Sequence, residues 1–183
     1  MSVQHTNRKG QDYYLSQGLT KTGKPKYYFS TKNKGCALDS IPKDFEIYEN
    51  PNGQVFLIKK EPQLITCKEK QLVSSALRKN KCVKNYLVDL KKKTLIIYTA
   101  EEPPMPEELL SFNILRNINK YLNYQAEMRF NLICKDKRSF YAERFCYRGS
   151  IDDWITIGTP DKLNELVNLF IPYLGTDSLY ELS

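Results

Sequence analysis

Apolar and polar residues alternate with a period of two over most of this chain, which predicts strands, and recur at helical spacing in three places. Residues 12–19 and 26–31 are rich in Tyr and Phe and flank Thr22-Gly23-Lys24-Pro25, a hairpin pattern. Residues 45–49 and 55–60 flank Asn50-Pro51-Asn52-Gly53. Asn-Gly between apolar runs signals a tight hairpin, because both residues tolerate positive φ. Residues 35–43 connect the two hairpins. Residues 1–11 are polar and read as a flexible tail.

Helical spacing begins at Cys67. Thr66 is the expected N-cap and Glu69 completes a capping box, with Leu72, Val73, Ala76 and Leu77 as the apolar stripe to Lys79. Two strands follow, 85–90 and 94–100, joined by Lys91-Lys92-Lys93. After a Pro-rich break at 101–106, a second helix is expected from Pro106, with Leu110, Ile114, Ile118 and Tyr121 as its stripe and Glu107 and Glu108 facing the positive end of its dipole. Residues 128–134 alternate as a half-buried strand, and a turn at 135–138 returns the chain into 140–147. A short strand is expected at 154–157. Thr159 and Pro160 then look like the N-cap and first residue of a third helix, whose buried face is Leu163, Leu166, Val167 and Phe170, ending at Pro172.

These elements predict an α+β protein: N-terminal β-hairpins beside a mainly antiparallel sheet covered by three helices. From Val55 the order strand, helix, strand, strand, helix, strand matches a ferredoxin-like split βαβ unit in the middle of the chain. The expected organisation is a tail at 1–11, a basic hairpin region at 12–62 and an α+β core at 63–183, the last two able to form one compact unit. At 183 residues and 41% hydrophobic content the chain has enough apolar surface for a folded core.

Charge changes the picture. Residues 1–100 carry 19 Lys and Arg against 8 Asp and Glu, whereas residues 101–183 carry 9 against 13. The N-terminal part should attract polyanions. The five cysteines, Cys36, Cys67, Cys82, Cys134 and Cys146, show no C-x-x-C spacing and read as reduced thiols, with no metal site. The single histidine, His5, lies in the polar tail, so mechanisms that need a positioned imidazole are poorly served. No apolar run is long enough to cross a membrane, and the N-terminus lacks a secretory pattern; the expected setting is the cytoplasm.

Gly18 to Lys24 fits the G-x-x-x-x-G-K part of a phosphate loop, but Pro25 stands where Ser or Thr is needed and an aromatic strand follows instead of a helix. The same segment suits a nucleic-acid surface. Lys21, Lys24, Lys26, Lys32 and Lys34 can neutralise phosphates, and Tyr27 or Tyr28 can stack on unpaired bases. The alternative is that these lysines guard strand edges while the tyrosines pack on a small core. Lys91, Lys92 and Lys93 form a second basic cluster, which also reads as a solvated turn. The carboxylate pairs Asp152-Asp153, Glu101-Glu102 and Glu107-Glu108 show no convincing metal-nuclease spacing. The expected function is therefore sequence-independent nucleic-acid binding without a cofactor and without catalysis. A protein-interaction module of a bacterial cytosolic complex and a carboxylate/metal-dependent phosphodiesterase are the two alternatives.

The stretch Tyr13-Tyr14-Leu15 through Gly23-Lys24-Pro25-Lys26-Tyr27-Tyr28-Phe29-Ser30, then Ile41-Pro42 and Phe45 through Leu57, resembles a family of uncharacterised bacterial proteins; Leu174-Gly175 to Leu182 is similar to it too. The resemblance implies a bacterial cytosolic origin and brings no activity, ligand or catalytic residue.

Overall fold

The computed structural model describes residues 2–32, 37–101, 120–148 and 151–182. Its fold is α+β, with antiparallel sheets throughout the described residues. Residues 2–32 and 37–61 form one compact unit; residues 62–101, 122–148 and 151–182 form a second.

The first unit contains two small sheets. β1 (Gln4–Thr6), β2 (Asp12–Leu19) and β3 (Pro25–Ser30) run in chain order, and β4 (Phe45–Glu49) pairs with β5 (Val55–Lys59). The expected flexible tail is corrected here: Gln4, His5 and Thr6 pair with Tyr14, Tyr13 and Asp12. All three hairpin turns follow one recipe. In Asn7–Gly10, Thr20–Gly23 and Asn50–Gly53, the first residue's carbonyl accepts from the glycine amide at 2.8, 3.0 and 2.9 Å. Its side-chain oxygen accepts from the residue after the glycine, Gln11, Lys24 or Gln54, at 2.8, 3.0 and 2.9 Å. The glycines sit at φ 79, 78 and 78°, the left-handed conformation that a type I turn with a following glycine demands. The expected hairpin at Asn50–Gly53 forms, with Gly53 and not Asn52 at positive φ.

The second unit is a five-stranded meander. β6 (Asn85–Lys91), β7 (Thr94–Ala100), β8 (Gln125–Cys134), β9 (Ser139–Arg148) and β10 (Ile151–Lys162) pair each with its neighbour in the chain. The ferredoxin-like order is therefore corrected: β5 pairs with β4 in the first unit, outside the five-stranded sheet, and short turns force antiparallel pairing of β6 with β7 and of β8 with β9. α1 (Cys67–Lys79) carries the expected capping box, with Glu69 N donating to Thr66 Oγ1 and Thr66 N donating to Glu69 Oε2. α2 (Leu163–Phe170) buries the expected four residues but starts later than expected. Thr159 and Pro160 lie in β10, where a register irregularity between Ile157 and Asp161 lets pairing with β9 resume at Asp161 and Lys162. The helix expected from Pro106 to Tyr121 lies mostly outside the described residues.

One face of the meander makes the core. Leu95, Ile97, Met128, Phe130, Leu132, Phe140, Ala142 and Ile157 join Val73 and Leu77 of α1 and Leu163, Leu166, Val167 and Phe170 of α2. Arg138, in the β8–β9 turn, clips α1 to the sheet: its guanidinium binds the Glu69 carboxylate and donates to the Leu64 carbonyl at 3.3 Å.

Candidate nucleic-acid interface

β2 and β3 place the predicted residues by their pleat. Ser16 pairs with Tyr28, Gln17 with Tyr27 and Gly18 with Lys26, so Tyr28 and Lys26 share one face and Tyr27 points to the other. Tyr27 is half-buried, edge-on against Phe45 of β4 at a centroid distance of 5.6 Å. It belongs to the packing between the two small sheets. Tyr28 is 38% exposed. Its ring lies close to Gly18: a Cβ there would stand 3.3 Å from Tyr28 Cε1. Lys21 and Lys24 are exposed on the β2–β3 turn, and Lys26 is exposed immediately after it. These three lysines make no ion pair among the described residues.

Lys32 is exposed but lies past the far end of β3. At about 3.3 Å per residue it stands roughly 20 Å from the turn, more than two Debye lengths (about 8 Å each at physiological salt). The tip cluster is therefore Lys21, Lys24 and Lys26, and Lys32 acts separately. Lys34 falls outside the described residues. Lys91, Lys92 and Lys93 are exposed on the β6–β7 turn of the second unit. The Gly18–Lys24 segment enters strand β3, so the helix N-terminus that a phosphate loop requires is not formed.

At the other end of β2 a carboxylate offsets the charge. Glu49 Oε1 accepts from the Arg8 amide at 2.9 Å, and Glu49 Oε2 lies 3.0 Å from His5 Nε2. Burial raises the Glu49 carboxyl, but the bonds and charges from Arg8 and His5 outweigh it and hold the group below the ordinary range. His5 is thus a structural tie between β1 and β4, a role its polar surroundings in sequence did not signal.

The second unit holds two polar features that sequence reasoning missed. On the sheet face opposite the core, Glu143 accepts from Arg129 Nε and from Asn131 Nδ2, the latter at 2.5 Å, while Thr94 Oγ1 donates to Asn131 Oδ1 at 2.6 Å. The Arg129 guanidinium carbon lies 4.2 Å from the Trp154 ring centroid, and Phe145 meets Trp154 edge-on at 5.1 Å. Second, a cavity of about 280 Å³ at the sheet end includes Cys82, Lys84, Thr99, Glu101 and Glu127 in its lining. Glu127 is the extra residue of a bulge between the Ile97–Met128 and Tyr98–Ala126 pairs. Burial pushes its carboxyl up, Glu101 pushes the same way, and a hydrogen bond from Thr99 opposes them.

Among the carboxylates named from sequence, Glu101 shares the lining of that cavity with Glu127, and the Asp153 carboxylate accepts from the following amide at 2.7 Å. The side chains of Asp152, Glu102, Glu107 and Glu108 lie outside the described residues. Among the described residues no group of three or more His, Cys, Asp or Glu could hold a metal ion, and no helix is long and apolar enough to cross a membrane. Comparison with protein-family models, with curated proteins and with solved structures finds no match.

Proposed function

We propose that the first unit binds single-stranded nucleic acid without sequence preference, through the tip of the β2–β3 hairpin. Lys21, Lys24 and Lys26 neutralise backbone phosphates and Tyr28 offers its ring to an unpaired base. The observation that supports this reading is the division of labour between the two tyrosines. Tyr27 packs on Phe45, whereas Tyr28 is exposed on the face that carries Lys26, beside lysines that form no ion pair among the described residues. A hairpin that only guarded a strand edge would need the lysines and not the exposed ring.

The test is an anisotropy titration of a labelled single-stranded oligonucleotide against Tyr28→Ala. Loss of one stacking contact should weaken binding by ~1–3 kcal/mol, about 5- to 150-fold, while the fold is kept. An unchanged affinity would remove Tyr28 from the interface.

A protein-interaction role is favoured by a different surface of the same unit. Phe56 is 44% exposed, stacks on Tyr48 at 6.3 Å, and shares its face of the β4–β5 hairpin with the exposed Ile58. If a protein partner is the ligand, Phe56→Ser should abolish its capture while oligonucleotide binding stays absent in every variant.

A further inference from the structure

The cavity at the end of the five-stranded sheet carries charges of both signs on one lining. Lys84 comes from the segment that leads into β6, Thr99 and Glu101 from the end of β7, and Glu127 from the start of β8. Thr99 stands two residues after the buried Ile97, so the cavity adjoins the core face of the sheet. A bulge sets Glu127 there, one extra residue of β8 between the Ile97–Met128 and Tyr98–Ala126 pairs. Bulges are a common way of re-aiming a side chain at a functional edge. The C-terminal wall is tightly packed: a Cβ at Gly175 would stand 2.9 Å from Val83 Cγ2.

The charges of this lining do not cancel one another. Extended by one residue, the β6–β7 register sets Lys84 opposite Glu101, yet neither forms an ion pair among the described residues, and Glu127 forms none either. Glu127 is half-buried. Burial and the Glu101 charge both work against its ionised form, and a hydrogen bond from Thr99 works for it. A partly buried carboxylate beside a second acid is an unfavourable arrangement that a bound cation relieves. The donor set points to an organic cation. Among the described residues no three His, Cys, Asp or Glu gather as a metal ion needs, and Lys84 repels a bare cation. Lys84 in turn suits an anionic group on the same ligand. At about 280 Å³ the cavity lies near the lower end of small-molecule pockets, about 300–1,000 Å³, a size for one small molecule.

We propose that this cavity binds a free α-amino acid: Glu127 and Glu101 take the ammonium, whose three N–H donors can be shared between them, and Lys84 takes the carboxylate. Val83 and Ala100 supply apolar lining for the ligand's side chain. Both charged groups of the ligand are needed, since an amine alone meets Lys84 and an acid alone meets two carboxylates. The site lies in the second unit and does not rest on the hairpin reading; either can fail alone.

The full chain is titrated by calorimetry with each of the proteinogenic L-amino acids, up to millimolar concentration. The tightest binder is then compared with its amide, which lacks the anion, and with its N-acetyl derivative, which lacks the cation. The amino acid should bind at least about tenfold more tightly than either, as expected for losing a bond to a charged group. Lys84→Ala should remove the preference over the amide and keep the preference over the N-acetyl derivative; Glu127→Gln should do the reverse. Lys21→Ala/Lys24→Ala/Lys26→Ala should leave both preferences intact, which separates this site from the hairpin tip. Should a variant unfold, the comparison of the three ligands on the wild-type chain still decides. No amino acid bound by the wild type, equal binding of the amide or the N-acetyl derivative, or both preferences surviving in a folded Lys84→Ala or Glu127→Gln variant would each overturn the proposal.

Discussion

Replacing Gly158 with alanine tests how β10 meets α2. Gly158 lies in the register irregularity of β10 at φ +67°, and a Cβ there would stand 2.6 Å from Cζ and 3.3 Å from Cε2 of the buried Phe170. Two costs follow. A left-handed backbone costs a residue with a Cβ about 1–2 kcal/mol. Forcing a methyl into a packed ring costs about 1–3 kcal/mol more, because Phe170 must leave its rotamer or push α2 away. Gly158→Ala should therefore destabilise the second unit by about 2–5 kcal/mol. Urea unfolding followed by Trp154 emission reads this, since Trp154 lies in the same strand. Phe170→Leu withdraws the clashing atom, so the double variant should be less destabilised than the sum of the single ones by about 1 kcal/mol or more. A cost below about 1 kcal/mol for Gly158→Ala, or strict additivity with Phe170→Leu, would refute the contact.

Asn7→Ala should loosen the first unit by about 2–3 kcal/mol, since the buried side chain accepts from the Lys9 and Gln11 amides and donates to the Gly53 carbonyl at 2.6 Å. Faster hydrogen exchange at the Gln11 amide is the readout. Glu127 binds its proton more tightly folded than unfolded, because burial first and Glu101 second push its carboxyl up from 4.5. Its contribution is most favourable at acid pH, and stability declines as pH rises from the unfolded value through the folded one. Glu127→Gln should match the wild type in acid and exceed it at neutral pH in urea unfolding; a variant less stable at neutral pH would contradict the sign. Tyr27→Ala should destabilise the first unit by removing the ring that packs on Phe45, whereas Tyr28→Ala should leave thermal stability within about 0.5 kcal/mol.

What could be read from sequence was what local chemistry decides. The Thr66–Glu69 capping box and the buried stripe of α2 are written within a few residues, and both formed. Thr159-Pro160 is as good a helix start by local rules, yet it is strand, because pairing of Asp161 and Lys162 with Phe140 and Ser139 holds the backbone extended. Asn7-Arg8-Lys9-Gly10 carries the same signature as Asn50-Pro51-Asn52-Gly53. It was hidden by the polar character of its surroundings, although Asn-x-x-Gly is the pattern that builds the turn. At the candidate interface, alternation establishes that Tyr27 and Tyr28 face opposite ways. Which of them is covered depends on Phe45, on another hairpin. The Arg129 network needs the register of four strands at once, and no local window contains it.

The most direct test of nucleic-acid binding by the hairpin tip is the salt dependence of single-strand affinity. Each phosphate neutralised contributes a slope of about −0.7 in log K against log salt. Removing Lys21, Lys24 and Lys26 together should therefore flatten the slope of the full chain by about 2, while Lys91→Ala/Lys92→Ala/Lys93→Ala should leave it unchanged. Absence of binding at low salt, or a slope that survives loss of the three tip lysines, would contradict the account.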